Sequence, residues 1–316
     1  MVMKKFLMAV LTVFAISTAS LPAQTTNIVA GPNRPENVPE GYVITPFGYF
    51  HESCVQSVAD GETLLADGRV QHKDRTVEGN TAPVCNYPRF SPDGTPKVEG
   101  AAKPQTPEVN GWIENANIVA PAGYSYSGLL AINTVPPQPK SRDGQVLFFF
   151  PGLEDINDAN TSILQPVLQW VGGQWSIVNW NCCLNGITTH SAAANVRPND
   201  QILGTVTETC IEGTLSCATW NVTSMDLNTG VSTSLLLTPS QGQVFNWAFG
   251  GVMEPYYVVS CNDYPANTHE SYHVVLFDKF FNPVVDPIWN KSVNKTQTPQ
   301  CGYAVTPKNY IVSLAY

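Results

Sequence analysis

Ala218-Thr219-Trp220-Asn221-Val222-Thr223, then Asn228-Thr229-Gly230, then the return over 231–237, is the stretch that decides the fold. Ala218, Trp220 and Val222 alternate with Thr219, Asn221 and Thr223, the period of two that sends apolar side chains to one face of a strand and polar ones to the other. Asn-Thr-Gly turns the chain, so the segment reads as an antiparallel hairpin with one buried face. Working outward, short strand-like runs recur at 126–135, 145–150, 162–170, 175–181, 201–209, 244–249, 252–259, 272–281 and 310–316. Turn residues separate them, and there is almost no helical period. The pattern predicts an all-β chain, an antiparallel β-sandwich of concanavalin-like or jelly-roll type over 108–316.

Ahead of the sandwich, Phe50 to Val58, then Asp60-Gly61, then Thr63-Leu64-Leu65 reads as a β-hairpin with Asp-Gly at its turn, giving a small N-terminal unit within 24–107. Stretches rich in Pro, Asn, Gly, Glu or Lys at 30–42 and 88–107 flank it as linkers. The chain opens with Met-Val-Met-Lys-Lys, an apolar run over 6–16 and the small residues Ser17, Thr18 and Ala19, the layout of a secretory signal peptide over 1–23. That run is shorter than a bilayer span of about 20 residues, so a secreted, extracellular or periplasmic protein is expected. Eight cysteines in an export context imply disulfides. Cys210 with Cys217, Cys54 with Cys85, and Cys261 with Cys301 are plausible pairs. The adjacent Cys182 and Cys183 are then left to form a vicinal bridge, or the pairing is different.

Of the 316 residues, 43% are hydrophobic and only 13% charged, and the net charge is −9. A packed core is thus affordable, whereas the positive charge that phosphate backbones demand is missing, so neither nucleic acid nor an anionic membrane is an expected partner. His269-Glu270-Ser271-Tyr272-His273 is a literal HExxH, a zinc motif when it lies on a helix. The β-branched and aromatic run Tyr272 to Phe277 makes it a strand instead. On a strand the two histidines are about 13 Å apart, too far to share one ion. No metal and no cofactor is expected, and a zinc peptidase is the weakest of three readings. No GxSxG is present, and His51, His72 and His190 stand alone in sequence.

A further constellation runs from Ile163-Leu164-Gln165-Pro166, through the aromatic strand 175–180 and Asn199-Asp200-Gln201-Ile202, past the Trp220 hairpin to Met253-Glu254-Pro255-Tyr256-Tyr257. This order resembles the glutamic peptidases of the eqolisin type over roughly 145–265. The resemblance implies a secreted, metal-independent acid endopeptidase acting on polypeptide, made as a precursor, with Gln165 and Glu254 as its catalytic dyad. Two departures stand beside it. Pro166-Val167 follows Gln165 where the family has Thr-Gly, and Glu254 is followed by Pro255-Tyr256 where the family reads Glu-Trp-Ile. Each proline removes a ladder donor, so both are expected at a sheet edge or bulge.

Amide hydrolysis needs a base for water and a donor for the oxyanion. A glutamate with an ordinary pKa of about 4.3 is ionised in mild acid, and a glutamine amide donates without titrating. Glu254 and Gln165 would fill those roles if they met across adjacent strands, with Trp175, Trp180, Trp247, Tyr256 and Tyr257 lining the cleft. Under the plainer alternative Gln165 caps backbone groups and Glu254 is a solvated loop carboxylate. A non-catalytic carbohydrate-binding sandwich, stacking polysaccharide on a flat stripe of Trp and Tyr, is the competing function. The unit 24–107 is then a candidate prosegment, with an exposed cleavage site in 97–107.

Overall fold

The computed structural model describes residues 28–30, 33–97, 111–157 and 163–316. The leader and the 98–107 part of the second linker lie outside them. Among the described residues there is no α-helix, and no helix is long and apolar enough to cross a membrane. The N-terminal part holds β1 (Ile28–Val29), β2 (Tyr42–Thr45), β3 (Gly48–His51), β4 (Val55–Val58), β5 (Thr63–Leu64), β6 (Val70–Gln71), β7 (Arg89–Phe90) and β8 (Pro96–Lys97). After it come β9 (Glu114–Val119), β10 (Tyr126–Thr134), β11 (Val146–Glu154), β12 (Ile163–Val171), β13 (Gln174–Leu184), β14 (Ile187–Ser191), β15 (Ala194–Asn195) and β16 (Gln201–Glu208). The last third carries β17 (Thr219–Asp226), β18 (Ser232–Pro239), β19 (Trp247–Tyr256), β20 (His269–Asp278), β21 (Asn290–Val293), β22 (Ala304–Lys308) and β23 (Ile311–Ala315).

Two sheets make the sandwich. One has seven strands in the order β18-β17-β16-β10-β20-β23-β22, and the other runs β21-β9-β19-β11-β12-β13-β14-β4, with β15 paired to β13. The hairpin expected over 218–237 is β17–β18, antiparallel, with Trp220, Val222 and Ser224 buried along one face of β17. Buried and part-exposed residues alternate along β16, β17 and β20, because the outer face of the seven-stranded sheet meets water. In the larger sheet, β11 and β19 are buried at every position. Their sequences accordingly run as continuous apolar stretches such as Leu147-Phe148-Phe149-Phe150, because both faces are covered.

One face of the larger sheet packs on the seven-stranded sheet, around Leu147, Phe149, Leu168, Trp175, Ile177, Trp220, Tyr272 and Leu314. The other packs on the N-terminal unit, where Tyr42, Ile44, Tyr49, Phe50 and Phe90 meet Phe148, Phe150, Val167, Trp180, Trp247, Phe249 and Tyr256. β4 also joins the sheet edge, in parallel with β14. The Asp60-Gly61 hairpin expected between 50–58 and 63–65 therefore does not form; β5 pairs with β6 instead. A strand that extends an existing large sheet gains more partners than a short two-stranded hairpin does.

Disulfides join Cys54–Cys85, Cys182–Cys183, Cys210–Cys217 and Cys261–Cys301. The two separate runs expected at 244–249 and 252–259 are one strand, β19, whose pairing with β11 shifts register between Phe150 and Gly152. Pro166 is not at an edge, since β12 lies between β11 and β13. The β11–β12 ladder nevertheless opens there: pairs are made at Phe149↔Leu168 and again at Leu153↔Leu164, with Pro151 and Pro166 standing in the gap. Pro255 is also in an inner strand, just past Met253↔Glu114, the last pair that β19 makes with β9.

Candidate functional site

β12 and β13 form a tight hairpin through Gly172 and Gly173, whose φ values of +60° and +85° only glycine adopts cheaply at both turn positions. This hairpin fixes the faces. Ile163, Gln165, Val167 and Gln169 point to the side covered by the N-terminal unit, and Leu164, Leu168 and Trp170 to the inter-sheet core. On β19 the covered side carries Trp247, Phe249, Val252, Glu254 and Tyr256. Gln165 and Glu254 thus share one sheet face.

They do not meet across adjacent strands. β11 runs between β12 and β19, and Phe148 pairs with both Glu254 and Gln169, so Glu254 is level with Gln169 and not with Gln165. Two strand spacings across and four residues along put the Cα atoms of Gln165 and Glu254 on the order of 16 Å apart, too far for both tips to touch one water. The shared-water dyad expected from sequence is corrected accordingly. The reason is non-local pairing: β19, far along the chain, docks beside β11 and not beside β12.

Gln165 is fully buried, and neither its Oε1 nor its Nε2 has a hydrogen-bond partner among the described residues. It caps no backbone group. Trp180, directly across from it on β13, is 2% exposed with its indole Nε1 also unpartnered. Gly152 stands on β11 beside Gln165: a Cβ built there lies 3.0 Å from the Leu164 carbonyl oxygen and 3.4 Å from Gln165 Cγ, so only glycine leaves this space open. Two residues further along β11 is Glu154, paired with Ile163 on one side and Trp247 on the other. Glu154 is therefore the diagonal neighbour of Gln165 on the same face, about 7–8 Å away. Sequence reasoning missed it. Its signal was an acid closing a wholly apolar strand, Leu147 to Leu153.

Glu254 is 1% exposed, not a solvated loop carboxylate. Its Oε1 accepts from the Tyr256 hydroxyl at 2.9 Å, and its Oε2 has no partner. Burial pushes its pKa up to about 8, against the opposing pull of the Tyr256 hydroxyl, the Lys97 charge and Trp112. In this covered state it is neutral in mild acid, which overturns the expectation of an ionised base. The Tyr256 hydroxyl also lies 2.9 Å from the Thr45 carbonyl oxygen and shares its one hydrogen between that oxygen and Glu254 Oε1, so the covering unit is bonded directly to this corner.

Trp180, Trp247 and Tyr256 lie on the covered face, whereas Trp175 packs with Trp170 and Phe149 between the sheets and can line no cleft. Tyr257 is half-buried beside Tyr49. His269–Asp278 is a strand, with His269 and His273 on its exposed side and Glu270 and Tyr272 inward. Among the described residues no group of three or more His, Cys, Asp or Glu side chains is placed to hold a metal ion. His190 is buried, its Nδ1 2.8 Å from the Ser191 carbonyl oxygen.

No family model and no curated protein matches the chain. Among solved structures, Scytalido-glutamic peptidase bound to a peptide-based transition-state analogue is similar at 16% identity and a TM-score of 0.47, covering 65% of this chain and 98% of that one. SCP-B, a member of the eqolisin family of peptidases solved with the tripeptide Ala-Ile-His, gives 16% identity, a TM-score of 0.44 and the same coverage. A bacteriophage tailspike protein 2 is similar at 12% identity and a TM-score of 0.26, over 62% of this chain and 27% of that one. The likeness to the two peptidases is a distant structural similarity, and no residue's role is carried over from any of these structures.

Proposed function

We propose that the covered face of the nine-stranded sheet is the substrate groove of a secreted, metal-independent peptide hydrolase, held closed by the unit of residues 28–97. The observation that carries this reading is Gln165. A wholly buried primary amide with no partner costs on the order of 1–3 kcal/mol, and a fold gains nothing by keeping it in a sheet centre. A bound carbonyl oxygen or a water would satisfy it.

In this reading Gln165 Nε2 donates to the oxyanion, and Glu154, not Glu254, is the base. Glu154 takes a proton from water as the water oxygen attacks the amide carbon, then returns that proton to the leaving nitrogen as the C–N bond breaks. The polysaccharide alternative is less favoured, because Trp180, Trp247 and Tyr256 are buried on this same face and form no flat exposed stripe.

The covering unit acts as a prosegment. None of the four disulfides crosses from it to the sandwich, so one cut in 97–111 leaves it held only by packing, by β4–β14 and by hydrogen bonds. Digestion of casein from acidic to neutral pH, with and without chelator, tests the whole proposal. Activity should appear only as the chain is cut in that stretch and should be indifferent to chelator. Activity in the intact chain overturns the prosegment, loss with chelator overturns metal independence, and an inert cut chain overturns the hydrolase.

A further inference from the structure

A second buried amide is left open on the covered face. β9 carries Asn115 and Asn117 to that face, because Asn117 pairs with Phe249 and Asn115 with Val252 on β19. The Trp247 indole Nε1 donates to Asn117 Oδ1 at 3.1 Å, and Asn117 Nδ2 donates to Asn115 Oδ1 at 3.0 Å. An indole N–H can only donate, so it fixes which end of the Asn117 amide is oxygen, and Asn117 in turn fixes Asn115. This relay ends on Asn115 Nδ2, a donor on a residue with no exposed surface and with no partner among the described residues. Trp247 and Asn117 thus hold a donor in a set orientation that stabilises nothing until an acceptor arrives.

Gly152, beside Gln165, pairs with Phe249, and Phe249 with Asn117, so Gln165 is level with Asn117 and two residues short of Asn115. β11 and β19 run between β12 and β9. Three strand spacings across and two residues along put the Cα atoms of Gln165 and Asn115 on the order of 16 Å apart. The floor between them is apolar, made by Phe150, Phe249 and Val252. Trp112 lies on it, its ring centroid 5.7 Å from that of Phe150 and 5.0 Å from that of Phe249. Trp112 follows directly on the stretch 97–111, whose cutting frees the covering unit in the reading above.

We infer that Asn115 is a second anchor for the polypeptide in the groove: its Nδ2 donates to a main-chain carbonyl oxygen about five residues from the one held by Gln165, with Asn117 and Trp247 as positioning residues. The inference rests on the peptide reading of the groove and gives that groove a length and a direction, across the strands from β12 to β9. An extended chain rises about 3.3 Å per residue, so about five residues span the gap. A carbonyl oxygen is the same in every residue, so the anchor selects chain length and not sequence.

Calorimetric titration of the cut chain with capped alanine–serine peptides, of about three to eight residues, reads this directly, since such a ladder varies main chain and little else. Affinity should rise about tenfold in one step as the length passes from about five residues to about seven, the effect of one hydrogen bond to a buried donor. Asn115→Leu should flatten that step to within about twofold. Should this variant fail to fold, Trp247→Phe, which leaves the Asn117 amide free to turn, should shrink the step to about threefold. A merely structural role for Trp247 would instead weaken peptides of every length alike. Affinity that rises evenly with length, or a step that survives undiminished in these variants, overturns the inference. No arm reads hydrolysis. A cut chain that shows the step but digests no protein loses only the hydrolase reading, and one that digests protein with no step loses only the anchor at Asn115.

Discussion

The two faces of the β12–β13 hairpin differ in how they pair the amides of Gln165, Asn179 and Asn181, although each face also keeps one indole N–H without a partner among the described residues, Trp175 on the inter-sheet side and Trp180 on the covered side. Facing the seven-stranded sheet, Asn179 donates to the Thr233 carbonyl at 2.8 Å and accepts from the Ser224 hydroxyl at 2.7 Å, while Asn181 donates to Thr238 Oγ1 at 2.7 Å and to the Pro239 carbonyl at 3.0 Å. Facing the N-terminal unit, Gln165 and Trp180 are as deeply buried and have no partner among the described residues. The first face is built to hold the sheets together, and its amides select β17 and β18 as partners. The second is covered without being completed, which is what the proposed prosegment would leave for a later partner.

That contrast predicts separable outcomes. The largest concerns the reaction: in the cut chain, Glu154→Gln should lower casein hydrolysis a thousandfold or more and Gln165→Ala on the order of a hundredfold, whereas Glu254→Gln should retain turnover. Loss of all turnover in Glu254→Gln, with Glu154→Gln unimpaired, would restore the pairing read from sequence. Next, Asn179→Ala should cost about 3 kcal/mol in denaturant unfolding, because it strands the Ser224 hydroxyl and the Thr233 carbonyl in the core.

A third outcome concerns pH. Burial pushes the carboxyl groups of Glu114, Glu254 and Glu270 up to about 8 each, so the folded chain holds protons that the unfolded chain releases above about 4.3. Stability from these groups is full below the unfolded value and is lost as pH rises from there through about 8. A thermal melt at pH 8 should fall below one at pH 4.5 by about 10 °C. Asp263, buried yet held low by Ser141 and the amides of Val259 and Ser260, acts in the opposite sense, its contribution being lost on further acidification. A flat or rising profile from pH 4.5 to pH 8 would show that the three glutamates ionise freely. The smallest effect is the most diagnostic: Gln165→Met, of similar volume, should stabilise the chain by about 1 kcal/mol, as removing a partnerless amide does, while abolishing hydrolysis.

Much of the frame could be read in residues. The alternation of Trp220, Val222 and their neighbours gave β17–β18 directly, because a strand with one wet face writes its burial into its sequence. β11 and β19 gave less. With both faces covered, Leu147 to Phe150 shows no alternation from which to tell which side of the sheet Glu154 or Glu254 would occupy. The motif Ile163-Leu164-Gln165 drew attention to a glutamine that is wholly buried without a partner among the described residues, whereas the meeting with Glu254 across adjacent strands, expected from order along the chain, is not made because β11 runs between β12 and β19. The histidines of the HExxH run, by contrast, could be assigned to a strand from Tyr272 to Phe277 alone, and His269–Asp278 is one.

Composition, the period of two and the turn residues therefore determined an all-β sandwich, and an even set of cysteines pointed to its disulfides. All of these are properties of neighbours in the chain. Which strand lies beside which was decided only in three dimensions. β11 takes β12 on one flank and β19, about a hundred residues on, on the other, and that choice sets Glu154 diagonal to Gln165 while leaving Glu254 at a separate corner beside Tyr256. The physical reason is that a residue's own periodicity fixes the direction of its side chain, whereas the residue it meets depends on a register shared with a distant strand. That register is chosen by the packing of whole faces against each other.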